Sequence, residues 1–270
     1  MNIVTDFVFP PESRGATGAV VRRELHSAIL NRYLQVFCVL ALAGGIGAAL
    51  VTDTPDAAPM LILQMALYFV SLFALLIGTS SARAESQEWP LLFAQPIPRS
   101  AFLLGKFLAL ALLFAGLLAL LFLPTLFVRA PGAAFLSLYG HTLTLAAAFV
   151  ALGLCTGFLA RDRVQGLVLG VGLWLLLLFG MDMIALLVAH SSFLQRWPDI
   201  WSSFLMLNPL DAFRVDALFA LEKIPAEAAK QTPLTSWWLA HTGLWFVAIS
   251  LFWMAVLLAF TARHLKHWED

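Results

Sequence analysis

The residues able to do chemistry are few and are scattered among long apolar blocks. Gly105-Lys106 is followed by Phe107 rather than Ser or Thr, and Ser100 stands where a phosphate-cradling loop needs its first glycine, so no nucleotide site is written here. Neither His-Glu-x-x-His nor Gly-x-Ser-x-Gly occurs. Of the six histidines only His264 and His267 stand three apart on a helical face, and beside Lys266 in a polar tail they read as solvated. Cys38 and Cys155 lie inside apolar blocks and read as small buried hydrophobes. The seven methionines are scattered, whereas a copper path would need sulfur or imidazole ligands on one face. No catalytic group, metal or directly bound cofactor is therefore expected.

Asp182 stands out as a charge inside an apolar block. A carboxylate at membrane depth is costly and ordinarily faces a cavity or a partner. Two uses fit: a place on a translocation path or in an ion pair, with Arg214 a candidate partner, or a shallow, hydrated position at the interface.

The elements that must carry these groups are almost wholly apolar. Of 270 residues, 61% are hydrophobic and 12% charged, against about a quarter charged in a soluble domain. A net charge of zero argues against a nucleic-acid partner. Six blocks (33–51, 59–79, 102–128, 139–160, 164–189 and 237–260) approach or exceed the ~20 residues that a helix needs to cross a bilayer core. They lack the alternation of barrel strands, so the fold class is all-α integral membrane. The third block exceeds what a bilayer needs and is expected to tilt or to start in the interface. The first is longer than a signal-peptide core, so cleavage is not expected.

Orientation follows from the basic residues. Arg14, Arg22, Arg23, Arg32, Arg83, Arg99, Lys106, Arg161, Arg163, Arg263 and Lys266 fall on one side, eleven of the sixteen in the chain. The loop after the first span carries Asp53 and Asp56 and no base. Both termini are thus cytoplasmic. The chain divides into a cytoplasmic segment 1–32, a six-helix transmembrane domain 33–260, and a cytoplasmic tail 261–270.

Three parts lie outside the spans. Val21, Leu25, Ala28 and Ile29 recur at helical spacing opposite Arg22, Arg23 and His26, which predicts an amphipathic helix at the membrane surface; a plain topological anchor fits the same residues. The cytoplasmic loop 80–101 sets Glu85 and Glu88 before Trp89 and a Leu-Leu-Phe run, then Pro96-Ile97-Pro98-Arg99. So apolar a loop must cover a surface, either the bilayer or another protein. In the outer loop 190–236, Asn208-Pro209-Leu210-Asp211 has the grammar of a helix start: N-cap, first-position proline, acid in the first turn. Leu210, Phe213, Ala217 and Leu221 then line one face, and Pro225 stops the helix. Trp197, Trp201, Trp237 and Trp238 read as interfacial belt residues. A small helical cap on the outer membrane face is expected, either a docking site for an external partner or a lid.

Three features together resemble the ABC-2 class of ATP-binding-cassette permeases. They are the Arg22-Arg23-Glu24-Leu25 segment with Leu30-Asn31-Arg32 before span one, six spans with cytoplasmic termini, and the block from Glu85 through Leu91-Leu92 and Pro96-Ile97-Pro98-Arg99-Ser100 to Leu103-Leu104-Gly105-Lys106. Trp89-Pro90 departs from the Gly-Thr common there. Within the class, LVLGVGLWL at 167–175, Asp182 with its apolar sequel, and Asn208-Pro209-Leu210-Asp211-Ala212-Phe213-Arg214 are similar to the NosY-type permeases of nitrous oxide reductase maturation.

The resemblance implies a type V exporter-like transmembrane domain in the bacterial inner membrane. It implies ATP-Mg handled by a cytoplasmic ABC ATPase dimer, a second copy of the chain, a periplasmic accessory protein, and contact with membrane lipids. It makes Glu85, Glu88, Trp89 and Arg99 the expected ATPase-coupling residues, with Arg22, Arg23 and Glu24 of the interfacial helix contributing. Asn208, Asp211 and Arg214 become the expected periplasmic docking residues. The function implied is that of a permease subunit, without an ATPase site of its own, serving assembly of a copper–sulfur centre. An exporter of a drug, lipid or polysaccharide and a non-transport scaffold are the alternatives.

Overall fold

The computed structural model describes residues 11–29, 31–51, 57–84, 98–129, 133–180, 183–184, 198–221 and 232–266. Every regular element in them is helical. α1 (Pro11–Ala28) precedes the first span, α2 (Arg32–Val51). The second span is α3 (Ala57–Met65), a π-helical turn at Ala66–Val70, and α4 (Ser71–Ala84), running without a break. α5 (Arg99–Arg129) and α6 (Ala133–Leu159) are the third and fourth. The fifth is α7 (Arg163–Leu175), continued by a second π turn at Leu176–Gly180. α8 (Pro198–Leu207), α9 (Pro209–Ala220) and α10 (Pro233–Ala240) then lead to the sixth span, α11 (Thr242–Lys266). Six helices among the described residues are long and apolar enough to cross a membrane, as hydropathy predicts, and the distribution of basic residues places both ends in the cytoplasm.

The helices overrun the apolar blocks. Span two reaches Ala84 and span three begins at Arg99, so both ends of the loop expected at 80–101 are helix. Hydropathy marks where hydrocarbon lies, whereas a helix continues while its side chains find partners, and Ser80, Ser81 and Arg83 are buried. α5, with 31 residues, is about 46 Å long, more than a ~30 Å hydrocarbon core requires. The last span is shorter than expected at its outer end: the chain leaves the helix at His241, so Trp237 and Trp238 sit on the separate α10. Trp237 is exposed, but Trp238 is buried against the protein rather than placed in a lipid belt.

α6 is the central post, with 78% of its apolar window buried against 22% for α11. It can be central because its backbone touches that of α4. A Cβ on Gly153 would lie 2.2 Å from the Leu75 carbonyl oxygen, and one on Gly78 2.7 Å from that of Val150. Without a solvent-driven hydrophobic effect between helices, such close approach is a main source of membrane packing energy. Thr79 and Thr156 share a hydrogen bond of 3.2 Å across the same seam. α7 settles on α4 through Gly166 and Gly170, a small-xxx-small pair, and Trp174 donates its indole N–H to Ser71 Oγ at 2.9 Å. Gly45 rests on the Leu121 carbonyl, whereas Gly47 and Gly172 face open space.

Candidate functional site

The cytoplasmic ends of three helices are tied by one polar knot, and a separate bond adds a fourth. Lys106, two turns into α5, is fully buried, and Glu24 of α1 is 3% exposed. Lys106 Nζ donates to Glu24 Oε1 and, at 3.3 Å, to the Ser81 carbonyl of α4. Ser81 Oγ donates to the other carboxylate oxygen at 2.9 Å. The ammonium also lies 5.2 Å from the centre of the Phe102 ring, a favourable cation–π placement. At Gly105 a Cβ would fall 2.7 Å from Val20, so the glycine admits α1 and the next residue binds it. Arg99, at the first turn of α5, donates to the Leu265 carbonyl near the end of α11, capping an otherwise unsatisfied helix terminus. Whatever moves the start of α5 therefore moves α1, α4 and α11 with it.

This arrangement gives α1 a buried polar contact that its reading as a membrane-surface helix did not foresee. Its buried face is Val20, Glu24 and Ala28, while Ile29, expected on the apolar side, is 60% exposed. Arg22 and Arg23 do face outward. Local hydropathy assigns a glutamate to the wet side, and its cationic partner lies 82 residues away.

At the outer side, α8 and α9 form a re-entrant pair rather than a cap lying on the membrane. Trp253, which donates to the Leu207 carbonyl at 3.0 Å, stands eleven residues into α11, about 16 Å from its start. Broken backbone is tolerated at such depth only where the protein satisfies it. Here Trp245 donates to the Met206 carbonyl at 2.8 Å, and Asn208 accepts from the Leu210 N–H as the N-cap foreseen. The Asn208 amide also donates to the Leu177 carbonyl of the second π turn at 2.7 Å and to Asp211 at 2.6 Å. A second tie joins α6, α9 and α11: His141 Nδ1 lies 2.5 Å from Asp216, whose other oxygen accepts from Thr242 Oγ1 at 2.9 Å.

A family described as "ABC-2 family transporter protein" matches residues 56–267. The chain belongs to this family. A curated relative, the "Probable ABC transporter permease protein NosY" of Pseudomonas aeruginosa, is 28% identical over 259 aligned positions, covering 84% of this chain and 92% of that protein. The molecule is thus an ABC-2 permease, the multi-pass inner-membrane subunit of an ABC transporter.

The expected site residues of this permease have separate fates. Glu85, Glu88 and Trp89 lie outside the described residues, as do Asp182 and Pro225. Arg99, at the start of α5, is bonded to the Leu265 carbonyl, and Glu24 is buried in the knot with Lys106 and Ser81. Asn208 and Asp211, expected to face a periplasmic partner, are turned inward at 4% exposure each: Asn208 fastens α9 to span five, and Asp211 accepts from the same amide. Arg214 keeps exposed surface and pairs with Asp211 at 3.6 Å. The sequence reading missed Lys106, Ser81, His141, Asp216 and Thr242. For the first of these a signal existed: Glu24 and Lys106 stand in the two motifs that carry the family resemblance.

Proposed function

We propose that this permease couples a separate cytoplasmic ABC ATPase dimer to events across the inner membrane, working as a pair of identical chains. The observation that carries the reading is the Glu24–Ser81–Lys106 knot. It joins α1 to the last turn of α4 and to α5, the two helices that flank the 85–97 segment, so a push on that segment would reach three helices at once. Glu85, Glu88, Trp89 and Arg99 are the contact residues of this reading, and ATP-Mg is handled by the partner.

We infer further that the task served is assembly of the copper–sulfur centre of nitrous oxide reductase, with a periplasmic protein meeting the outer loop around Arg214. The NosY-type features of the sequence and the likeness to the Pseudomonas aeruginosa permease support this assignment.

The deciding experiment purifies the tagged chain from its native host and identifies what travels with it. An ABC ATPase together with a second, differently tagged copy of the chain is expected. Deletion of the chain should then yield nitrous oxide reductase lacking its copper–sulfur centre. An intact centre in the deletion strain would remove the maturation role while leaving the permease role standing. A chain that purifies alone would overturn the coupling reading.

A further inference from the structure

Among the described residues, two π turns lie in the spans, one at Ala66–Val70 in span two and one at Leu176–Gly180 in span five. One such turn in a long helix is a common irregularity. These two share a detail that makes them a pair. In the first, the Ser71 N–H reaches back five residues to the Ala66 carbonyl. An α-helix would give that donor to the Leu67 carbonyl, and here the Ser71 hydroxyl stands in for it. In the second turn the carbonyl at the same position is that of Leu177, and it accepts from the Asn208 amide at 2.7 Å. Each turn is held by a side-chain donor on its second carbonyl.

The turns are also joined to each other. Trp174, two residues before the second turn, donates its indole N–H at 2.9 Å to the same Ser71 hydroxyl that closes the first. One oxygen thus serves both spans, donating within one and accepting from the other. On the cytoplasmic side of the turns the backbones are locked. Gly153 lies against the Leu75 carbonyl, Gly78 against that of Val150, and Gly170 of α7 against the Leu75 side chain. On the outer side, span two meets α2 through Met65, whose flexible thioether fills the room left by Gly44. With a rigid seam inside and an adaptable contact outside, the turns are where movement can begin.

We propose that the paired π turns form a two-position joint, through which α3 and α9 move together against inner ends locked to α6. In the second position the Ser71 N–H pairs with the Leu67 carbonyl, and the hydroxyl is released. The extra residue then leaves the turn, and α3 advances outward by one place. That is a rotation of about 100° and a shift of about 1.5 Å. The Leu67 carbonyl has a donor in both positions, so neither strands a polar group in the membrane, and a switching element needs two such arrangements. Ser71 answers to Trp174, and Leu177 answers to Asn208, so α9 follows. The joint does not depend on the ATPase-coupling reading.

The test uses the full chain in lipid nanodiscs, with Cys38 and Cys155 replaced by alanine. Single nitroxide labels are placed in turn at residues 60–65 and 73–77, and oxygen accessibility is read by electron paramagnetic resonance. In the starting protein the outer profile should peak at Leu61, which faces outward between half-buried Met60 and buried Ile62. Ser71→Ala removes the hydroxyl that holds the first turn and should favour the second position about tenfold. The peak should then move by one residue, to Ile62, while the 73–77 profile stays in place. Ser71→Thr, which keeps a hydroxyl, should hold the peak at Leu61. Asn208→Ser keeps a capping oxygen but drops the Leu177 bond, and should move the span-two peak as Ser71→Ala does. A peak unmoved by Ser71→Ala, or a shift that extends through 73–77, overturns the joint. A peak moved by Ser71→Ala but not by Asn208→Ser overturns the link between the two turns.

Discussion

Glu24 and Lys106 meet inside the protein although 82 positions separate them along the chain, and their side chains keep 4% and 0% of their surface. A pair so placed contributes little net stability over a well-packed apolar pair, because desolvation offsets the attraction, yet breaking one side leaves a charge stranded. Its effect is to fix how α1 sits on α5, and that suggests how to separate stability from coupling.

Lys106→Met should destabilise the detergent-solubilised protein by about 3–5 kcal/mol, since it strands the Glu24 carboxylate. Glu24→Leu combined with Lys106→Met should recover most of that loss in a thermal unfolding assay. If the double variant folds well but no longer stimulates its ATPase, the pair serves coupling. A double variant no better than the single one would argue against a mutual pairing.

Gly105→Ala should lift α1 from α5, because the new methyl would stand 2.7 Å from Val20. Overpacking of this kind costs about 1–3 kcal/mol. Val20→Gly in the same chain, which removes both the Cβ and the Cγ1 that the methyl would meet, should restore part of the unfolding temperature. Failure of that rescue would mean the contact lies elsewhere.

Asn208→Ala removes an N-cap and two donated hydrogen bonds within the membrane, and a loss of about 1–3 kcal/mol is expected. Asn208→Ser keeps a capping oxygen but cannot reach Leu177, and should fall between wild type and the alanine variant. Limited proteolysis of the outer loop reads the release of α9. Identical behaviour of all three proteins would refute the re-entrant seat.

His141→Gln and Asp216→Asn, made singly and together, should show a coupling energy of about 0.5–3 kcal/mol in unfolding experiments. Purely additive losses would mean that α6 and α9 do not rely on each other at this point.

The number of spans and their orientation could be read from the sequence because both rest on local quantities, apolar length and the placement of Arg and Lys. The Asn208 cap was legible for the same reason: Asn at the N-cap, Pro at the first helical position and Asp at the third need no distant partner. What local reading misses is any side chain whose environment is made by another helix. Glu24 looks like a surface acid until Lys106 is beside it. Asp211 looks like an outward ligand until Asn208 is seen turning inward to Leu177. Trp238 looks like an interfacial belt residue until the break at His241 turns it into the protein. Gly153, which lets α4 and α6 touch, resembles any other glycine in an apolar run. Hydropathy locates the bilayer, but not the face each helix gives to its neighbours.

The long reach from Glu24 to Lys106 also bears on biosynthesis. Glu24 leaves the ribosome well before the residue that neutralises it, with two complete spans still to be made and inserted in between. Through that interval α1 must wait in the cytoplasm with its carboxylate solvated, and it can fold down only once the third span is in place. Closure of the knot thus marks completion of the first half of the molecule, and a nascent chain halted short of Lys106 would expose an undocked N-terminal helix to the proteases that survey the inner membrane.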